Sequence, residues 1–347
     1  MILKVDTEAT LARRAHELTA DLMTPDPRRY WADLALTSGA VYASLWLALG
    51  DGPLPVRILA AVVCVFALYR GISFIHELTH LGPGDAPGFK FAWNALIGVP
   101  FLVPSLLYEG VHNLHHMTKR YGTATDPEYL PLARASRLEL AGFLLVALLA
   151  PLGQMLRFAV AAPLSFAAPG LRKDVVSRLS AMTINPRFRR EDLVNARSPA
   201  WLAQEIACWL WSWGLLALIV SGGDAARRVL TAAAILALAT FVNQLRTAGA
   251  HAWTSEGRPL SFTEQFADSV NIPPPAVLPA LWAPVGLRYH ALHHLLPRLP
   301  YHNLAEAHRR LARLLPAQSG YREVERSGLV AALRALRPHG GAVSARS

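Results

Sequence analysis

Cysteine is almost missing from this chain: Cys64 and Cys208 are the only two in 347 residues, and both lie inside apolar stretches. They supply neither a disulfide framework nor a CxxC motif, the four-cysteine patterns that hold iron–sulfur clusters are excluded with them, and no haem pattern is seen. Charge is scarce as well. Only 17% of residues are charged while 53% are hydrophobic, the proportions of a membrane protein rather than of a soluble domain. Acid is the rarer sign, with 24 Asp and Glu against 34 Lys and Arg and a net charge of +10. The first thirty residues are mixed and charged, with no apolar core, so a cleavable signal peptide is not expected.

What is abundant is apolar sequence. Stretches 34–50, 56–75, 202–220 and 229–250 each approach or reach the ~20 residues that a helix needs to cross about 30 Å of hydrocarbon. Two more, 91–108 and 138–168, are interrupted by Pro100 and Pro104 and by Pro151 and Pro163, which suits re-entrant, hairpin or interfacial helices better than simple spans. The expected fold class is an all-α integral membrane protein with about four transmembrane helices, further re-entrant or interfacial helices and a cytosolic histidine-rich cap. Basic residues orient it. Lys4, Arg13, Arg14, Arg28 and Arg29 precede the first span, Lys119, Arg120, Arg134 and Arg137 follow residue 116, and seven more from Arg172 to Arg197 fill the loop before residue 202. By the positive-inside rule these segments are cytoplasmic. The same excess also suits a landing surface for anionic lipid, an acyl carrier or an acidic redox partner, and nucleic acid is not an expected partner.

Eight of the thirteen histidines fall in three five-residue clusters, His76-Glu77-Leu78-Thr79-His80, His112-Asn113-Leu114-His115-His116 and His290-Ala291-Leu292-His293-His294, each beside an apolar stretch. Helical residues three or four apart share a face, so HxxxH and HxxHH each aim their imidazoles at one point. Neutral imidazole is a common ligand of iron, zinc and copper. A ninth histidine, His251, follows the fourth span directly and should emerge on the face where the clusters lie. With four spans that face is cytoplasmic, an assignment made from Lys and Arg without using histidine. Nine imidazoles exceed the needs of one ion, because structural zinc takes four ligands and catalytic zinc three from protein. Two metals of five or six coordination fit the count, and nitrogen ligation without thiolate suits non-haem iron that activates O₂.

These boxes, separated by apolar segments, resemble the histidine boxes of the membrane fatty acid desaturase superfamily. Stretches 243–251, 261–270 and 282–297 resemble the C-terminal half of bacterial members, so the resemblance runs from the second span to about Leu311. It implies a cytoplasm-facing centre of two non-haem Fe ions with His76, His80, His112, His115, His116, His251, His290, His293 and His294 as ligands. It also implies O₂ as co-substrate and the removal of two hydrogens from adjacent methylenes, a fatty acyl desaturase reaction. Hydroxylases, ketolases and epoxidases use the same boxes, and fold and motif do not separate them. The implied substrate is an acyl chain carried on a lipid, on CoA or on acyl-carrier protein, held in an apolar tunnel with its head at the basic surface. The third box opens on His290 rather than on the Gln of members fused to a cytochrome, and no cytochrome-like or ferredoxin-like domain is visible before residue 34 or after 311. A separate electron donor such as ferredoxin or a cytochrome is therefore expected. The organisation that follows is a cytosolic segment 1–33, a membrane desaturase-like domain 34–311 and a cytosolic part 312–347, in which an amphipathic helix over 324–336 precedes a disordered tail.

Around the boxes, Glu77, Asp126, Asp268 and Asn271 are of the kind that orients metal-bound imidazole, although each also reads as an ordinary cap or surface group. His302 and His308, six apart, share no helical face well and read as structural. Trp201, Trp209, Trp211 and Trp213 read as an interfacial belt and span packing. The first box is also an HExxH pattern, in which Glu77 would be the general base of a membrane zinc metalloprotease. That reading leaves six box histidines without a role.

Overall fold

The computed structural model describes residues 2–275 and 278–336, so the tail expected beyond residue 336 lies outside the described residues. Among those described, the chain is helical without a strand, and pairs only at isolated bridges, His251 with Ser269 and Asn271 with Tyr289 and Glu325. Five helices are long and apolar enough to cross a membrane: Pro27–Leu49, Leu54–Leu78, Arg137–Ala167, Pro199–Val220 and Gly223–Ala248. This is an all-α integral membrane protein. Four of the helices cover the expected spans, and the additional one occupies the Pro-interrupted stretch 138–168. Its prolines do not end it because each sits in the first turn of a helical segment, Pro151 in Ala150–Leu156 and Pro163 in Ala162–Ala167, where the missing N–H has no partner to lose. A 3-10 turn, Val146–Leu149, and a π turn, Arg157–Ala161, form the joints.

The chain divides into two compact units. One comprises Pro25–Leu114 and Val146–Asn243. Its first helix opens on Pro27 after Asp26, whose side chain accepts from Arg28 N at 3.0 Å, a cap of about 1 kcal/mol. The next helix is tied to it by Arg70, which donates to Asp33 at 2.8 Å and to Thr37 at 3.2 Å. The stretch 91–108, expected as re-entrant, hairpin or interfacial helix, folds as a hairpin. Helix Phe89–Trp93 passes into a π turn, Asn94–Gly98, and the chain reverses so that Ser105 N–H donates to Asn94 Oδ1 and Asn94 Nδ2 donates to Ser105 Oγ, both at 2.9 Å. Gly98 permits the closure, since a Cβ there would stand 2.7 Å from Asn94 Oδ1. Beside this hairpin, Leu106, Phe158, Val176, Trp201 and Cys208 form a buried core. Within the same unit, buried Glu205 accepts from Arg157 at 2.6 Å and from Arg172 at 2.7 Å.

The other unit comprises Met1–Thr24, His115–Leu145 and Gln244–Ser347. Helix Ile2–Thr19 packs on Leu304–Leu314, and Arg310 and Asn303 fasten the turn after it by donating to Leu18 O at 3.0 Å and Leu22 O at 2.7 Å. Phe262–Asp268 opens with a capping box between Ser261 and Glu264. The expected helix over 324–336 is shorter, Leu329–Ala335, because Arg322 to Arg326 instead form a turn that pairs with Asn271 through Asn271 N to Val324 O and Arg326 N to Asn271 O.

Candidate metal centre

Each box forms a helix end or a short helical turn. His76 closes Leu54–Leu78 with His80 just past the cap Thr79, His112–His115 is a single turn, and His290–Leu295 is a six-residue helix. His251 lies on no helix. Its backbone bridges Ser269, with Val270 N donating to Ala250 O at 2.9 Å, and this sets its ring beside Asp268.

In the unit that carries the third box, His115, His251, His290 and His294 are all buried and each offers one ring nitrogen, the four atoms lying within 4.8 Å of one another. His290 Nε2 is 3.0 Å from His251 Nε2 and 3.3 Å from His294 Nε2. Ligands on opposite sides of one ion with ~2.1 Å bonds stand about 4 Å apart, so the set has the spread of a single coordination sphere. The far side of two rings fixes their tautomers. His115 Nδ1 donates to both oxygens of Asp126 at 3.0 Å. His251 Nδ1 donates to Tyr121 Oη at 2.8 Å, and that phenol donates to Asp268 Oδ2 at 3.0 Å. With the hydrogen on Nδ1, each Nε2 carries a lone pair. A lone pair in a buried site is desolvated, and a cation among the four nitrogens relieves that cost. The residues present therefore fit a metal ion.

Burial and the charge of neighbouring rings keep His251 and His294 neutral, the form that binds metal. Burial, then His115 and Arg246, hold His251 far below the ordinary histidine range, and burial, then His116 and His290, do the same to His294. Burial also opposes protonation of His115, but the Asp126 carboxylate against its Nδ1 outweighs it and the ring sits above the ordinary value. Burial and the Asp268 charge push the Tyr121 phenol well up, so it remains a donor to Asp268. Two further predicted ligands lie alongside: His116 and His293 face each other with their Nε2 atoms 3.0 Å apart, and the His116 ring is 4.5 Å from that of His294.

In the other unit His76, His80 and His112 converge, with ligand nitrogens within 4.8 Å of one another and the His76 and His112 rings 4.4 Å apart. His112 Nδ1 stands 3.0 Å from Tyr108 Oη. Burial, then His76, lowers His80 to about 3. Glu77 is engaged beside this cluster: its Oε2 accepts from Tyr30 at 2.8 Å and its Oε1 lies 3.7 Å from His76 Nδ1. His302 and His308 join neither group. His302 bonds Asn303, and His308 bonds Tyr321 Oη at 3.1 Å.

Of the four candidates for orienting imidazole, Asp126 and Asp268 reach ligands as described, and Asn271 Oδ1 accepts from Leu292 N at 3.0 Å, pinning the third-box helix. Sequence reasoning missed the two tyrosines. Tyr108 lies four residues before His112, a spacing that could have marked it; Tyr121 meets a histidine 130 positions away and leaves no local signal.

The fatty acid desaturase family matches residues 52–325, a run that contains all nine histidines. The chain belongs to the fatty acid desaturase family. It is 54% identical over 330 residues to a ceramide hydroxylase of Caulobacter vibrioides (strain NA1000 / CB15N), with 95% of this chain and 94% of that protein covered. As a member of this desaturase family it is a membrane oxidoreductase acting on lipid, and its two histidine groups suit the di-iron chemistry of the superfamily. Membership also disposes of the zinc-protease reading of residues 76–80, in keeping with the engagement of Glu77 by Tyr30.

Proposed function

We propose that this protein is a di-iron lipid hydroxylase, that its substrate is a ceramide or a similar long-chain lipid, and that it converts a C–H bond of that lipid to C–OH. The observation that carries this reading is 54% identity to a ceramide hydroxylase over 95% of the chain, which extends well beyond the boxes into the segments around them. Double-bond formation, the first expectation from the sequence, gives way to hydroxylation, its alternative. One iron would be held by His115, His251, His290 and His294 and the other by His76, His80 and His112, while His116 and His293 complete the nine-histidine set; the convergence of ring nitrogens supports this assignment.

Bound iron supplies the reduction of O₂ and an oxidant able to break an unactivated C–H bond. In the overall balance, the lipid C–H, O₂, two electrons and two protons give the alcohol and water. The electrons are expected from a separate donor protein; the two cysteines are buried singly and offer no iron–sulfur cluster site. The rest falls to the protein. Asp126 and the Tyr121–Asp268 pair hold the N–H of His115 and His251 away from the centre, and burial of the histidines excludes water from it. A methylene has no acidic or leaving group, so selectivity comes from holding the target carbon close to the centre. The histidines face the cytoplasm, on the side of the basic loops. This orientation requires Arg137–Ala167 to enter and leave on one face; its support is Arg157, which is buried against Glu205 only two turns into Pro199–Val220.

Expression in a ceramide-containing host under isotopically heavy O₂, followed by mass spectrometry of its lipids, tests the proposal. A ceramide with one added heavy oxygen, absent with His294→Ala, is expected. A lipid that has lost two hydrogens and gained no oxygen would establish desaturation instead.

A further inference from the structure

The nine histidines are assigned by their boxes and positions, but nothing in the sequence motifs says what holds His251, which lies outside every box and on no helix. Its ring is gripped from behind. Nδ1 donates to Tyr121 Oη at 2.8 Å; Tyr121 donates to Asp268 Oδ2 at 3.0 Å; and Asp268 Oδ1 is itself pinned by Thr254 N at 2.8 Å and Thr254 Oγ1 at 2.7 Å. Tyr121 is fully buried, and its ring stacks on that of His115 with centroids 4.8 Å apart and an interplanar angle of 29°. Asp268 Oδ2 reaches His251 Nδ1 only at 3.8 Å, beyond hydrogen-bond range, so the carboxylate acts on the imidazole through the phenol. The phenol has one hydrogen. Because Asp268 as a carboxylate can only accept, that hydrogen is committed to Asp268 and the phenol oxygen must accept from His251. The hydrogen of the neutral imidazole is thereby fixed at Nδ1, and Nε2, 3.0 Å from His290 Nε2, keeps its lone pair.

We propose that Tyr121 is a positioning residue which, held by Asp268, locks His251 in the tautomer that presents Nε2 to a metal ion while bracing the His115 ring beside it. One phenol thus serves two imidazoles of the same group, one by hydrogen bonding and one by stacking. The inference rests on the di-iron reading and concerns retention of the ion rather than the reaction.

Full-length protein in detergent, loaded anaerobically with Fe(II), is challenged with increasing chelator while iron per chain and the Mössbauer spectrum are followed. Tyr121→Phe keeps the stacking ring and removes only the hydroxyl. It is expected to release one of two irons about 10- to 100-fold more readily than the wild type, with one of two quadrupole doublets altered, while the metal-free variant unfolds at the wild-type temperature. His251→Ala should weaken the same iron, and Tyr121→Phe should add nothing in the His251→Ala background, as expected for groups acting in series. Thr254→Val, which strips one bond from Asp268, should shift release in the same direction by less, and serves if Tyr121→Phe does not fold. Wild-type iron retention and an unchanged spectrum in Tyr121→Phe, or equal and additive losses in the double variant, would overturn the role of Tyr121 alone. A wild-type protein that takes up no iron would overturn the di-iron reading and this inference with it.

Discussion

Asp126 is committed at every lone pair that the structure shows: both oxygens face His115 Nδ1 at 3.0 Å, and they also accept from Gly122 N at 2.9 Å and Glu128 N at 2.8 Å. In Asp126→Asn an NH₂ group must face one of these donors, so the loop shifts and His115 loses its strong acceptor. Iron retention in that variant should fall about 10- to 100-fold in a chelator titration. His308 shows the opposite use of a buried ring, with no metal neighbour. Burial, then Arg288 and Arg322, lower it to about 4 from 6.5. The unfolded chain therefore takes up this proton first as pH falls. The stability that His308 contributes is complete above pH 6.5 and is lost between 6.5 and about 4, by at most about 1.4 kcal/mol per pH unit. The difference in unfolding temperature between wild type and His308→Gln should shrink from pH 7 to pH 4.5; a constant difference would contradict the assignment. At this scale the histidines were legible because metal ligation imposes a spacing on a helix, and Asp126 and Asp268 were legible as types. Tyr121 was not, since only the fold brings residue 121 to residue 251.

The elements that present the boxes depend on a few tight contacts. Gly286 has φ +72°, and a Cβ there would lie 2.4 Å from Leu304 Cδ1 and 3.3 Å from the Tyr301 backbone. Gly286→Ala combines left-handed strain with a steric clash just before His290, and should cost about 2 kcal/mol or more, read as a lower unfolding temperature with the third box disturbed. Glu205, 0% exposed, neutralises Arg157 and Arg172, which also donate to Ser180 and Ser165. Glu205→Ala leaves Arg157 buried without its counter-charge and should destabilise by about 3 to 5 kcal/mol, seen as aggregation or loss of the monodisperse detergent-solubilised protein. The break in 91–108 could be read from Pro100 and Pro104, because proline marks where a helix cannot continue, although the hairpin was one of three expected forms. The continuity of Arg137–Ala167 could not be read the same way, since Pro151 and Pro163 fall in first turns, where proline is tolerated. A lone Arg157 and a lone Glu205 in two apolar stretches were the available sign that those stretches meet.

For the whole molecule, orientation in the membrane and the chemistry stand together: the proposed donor protein would reach the centre from the side where the basic loops lie. Single cysteines report that orientation directly, and native Cys64 and Cys208 are buried and give little background. A membrane-impermeant maleimide should label Gly52→Cys in intact cells and label Val194→Cys, at an exposed position, only after permeabilisation. Labelling of Val194→Cys in intact cells would mean that Arg137–Ala167 crosses fully and that the basic loop lies outside. Membrane character and the family were legible in the sequence, since composition and box spacing carry them. The proposed choice of hydroxylation over desaturation was not, because both reactions begin at a C–H bond and use the same boxes. The most direct test of the account is the metal content of purified protein after anaerobic Fe(II) loading. About two irons per chain, falling to about one in either His80→Ala or His294→Ala, is the predicted result for two histidine groups that each hold an ion. A single zinc that survives His294→Ala and His112→Ala but is lost with His76→Ala or His80→Ala would contradict it.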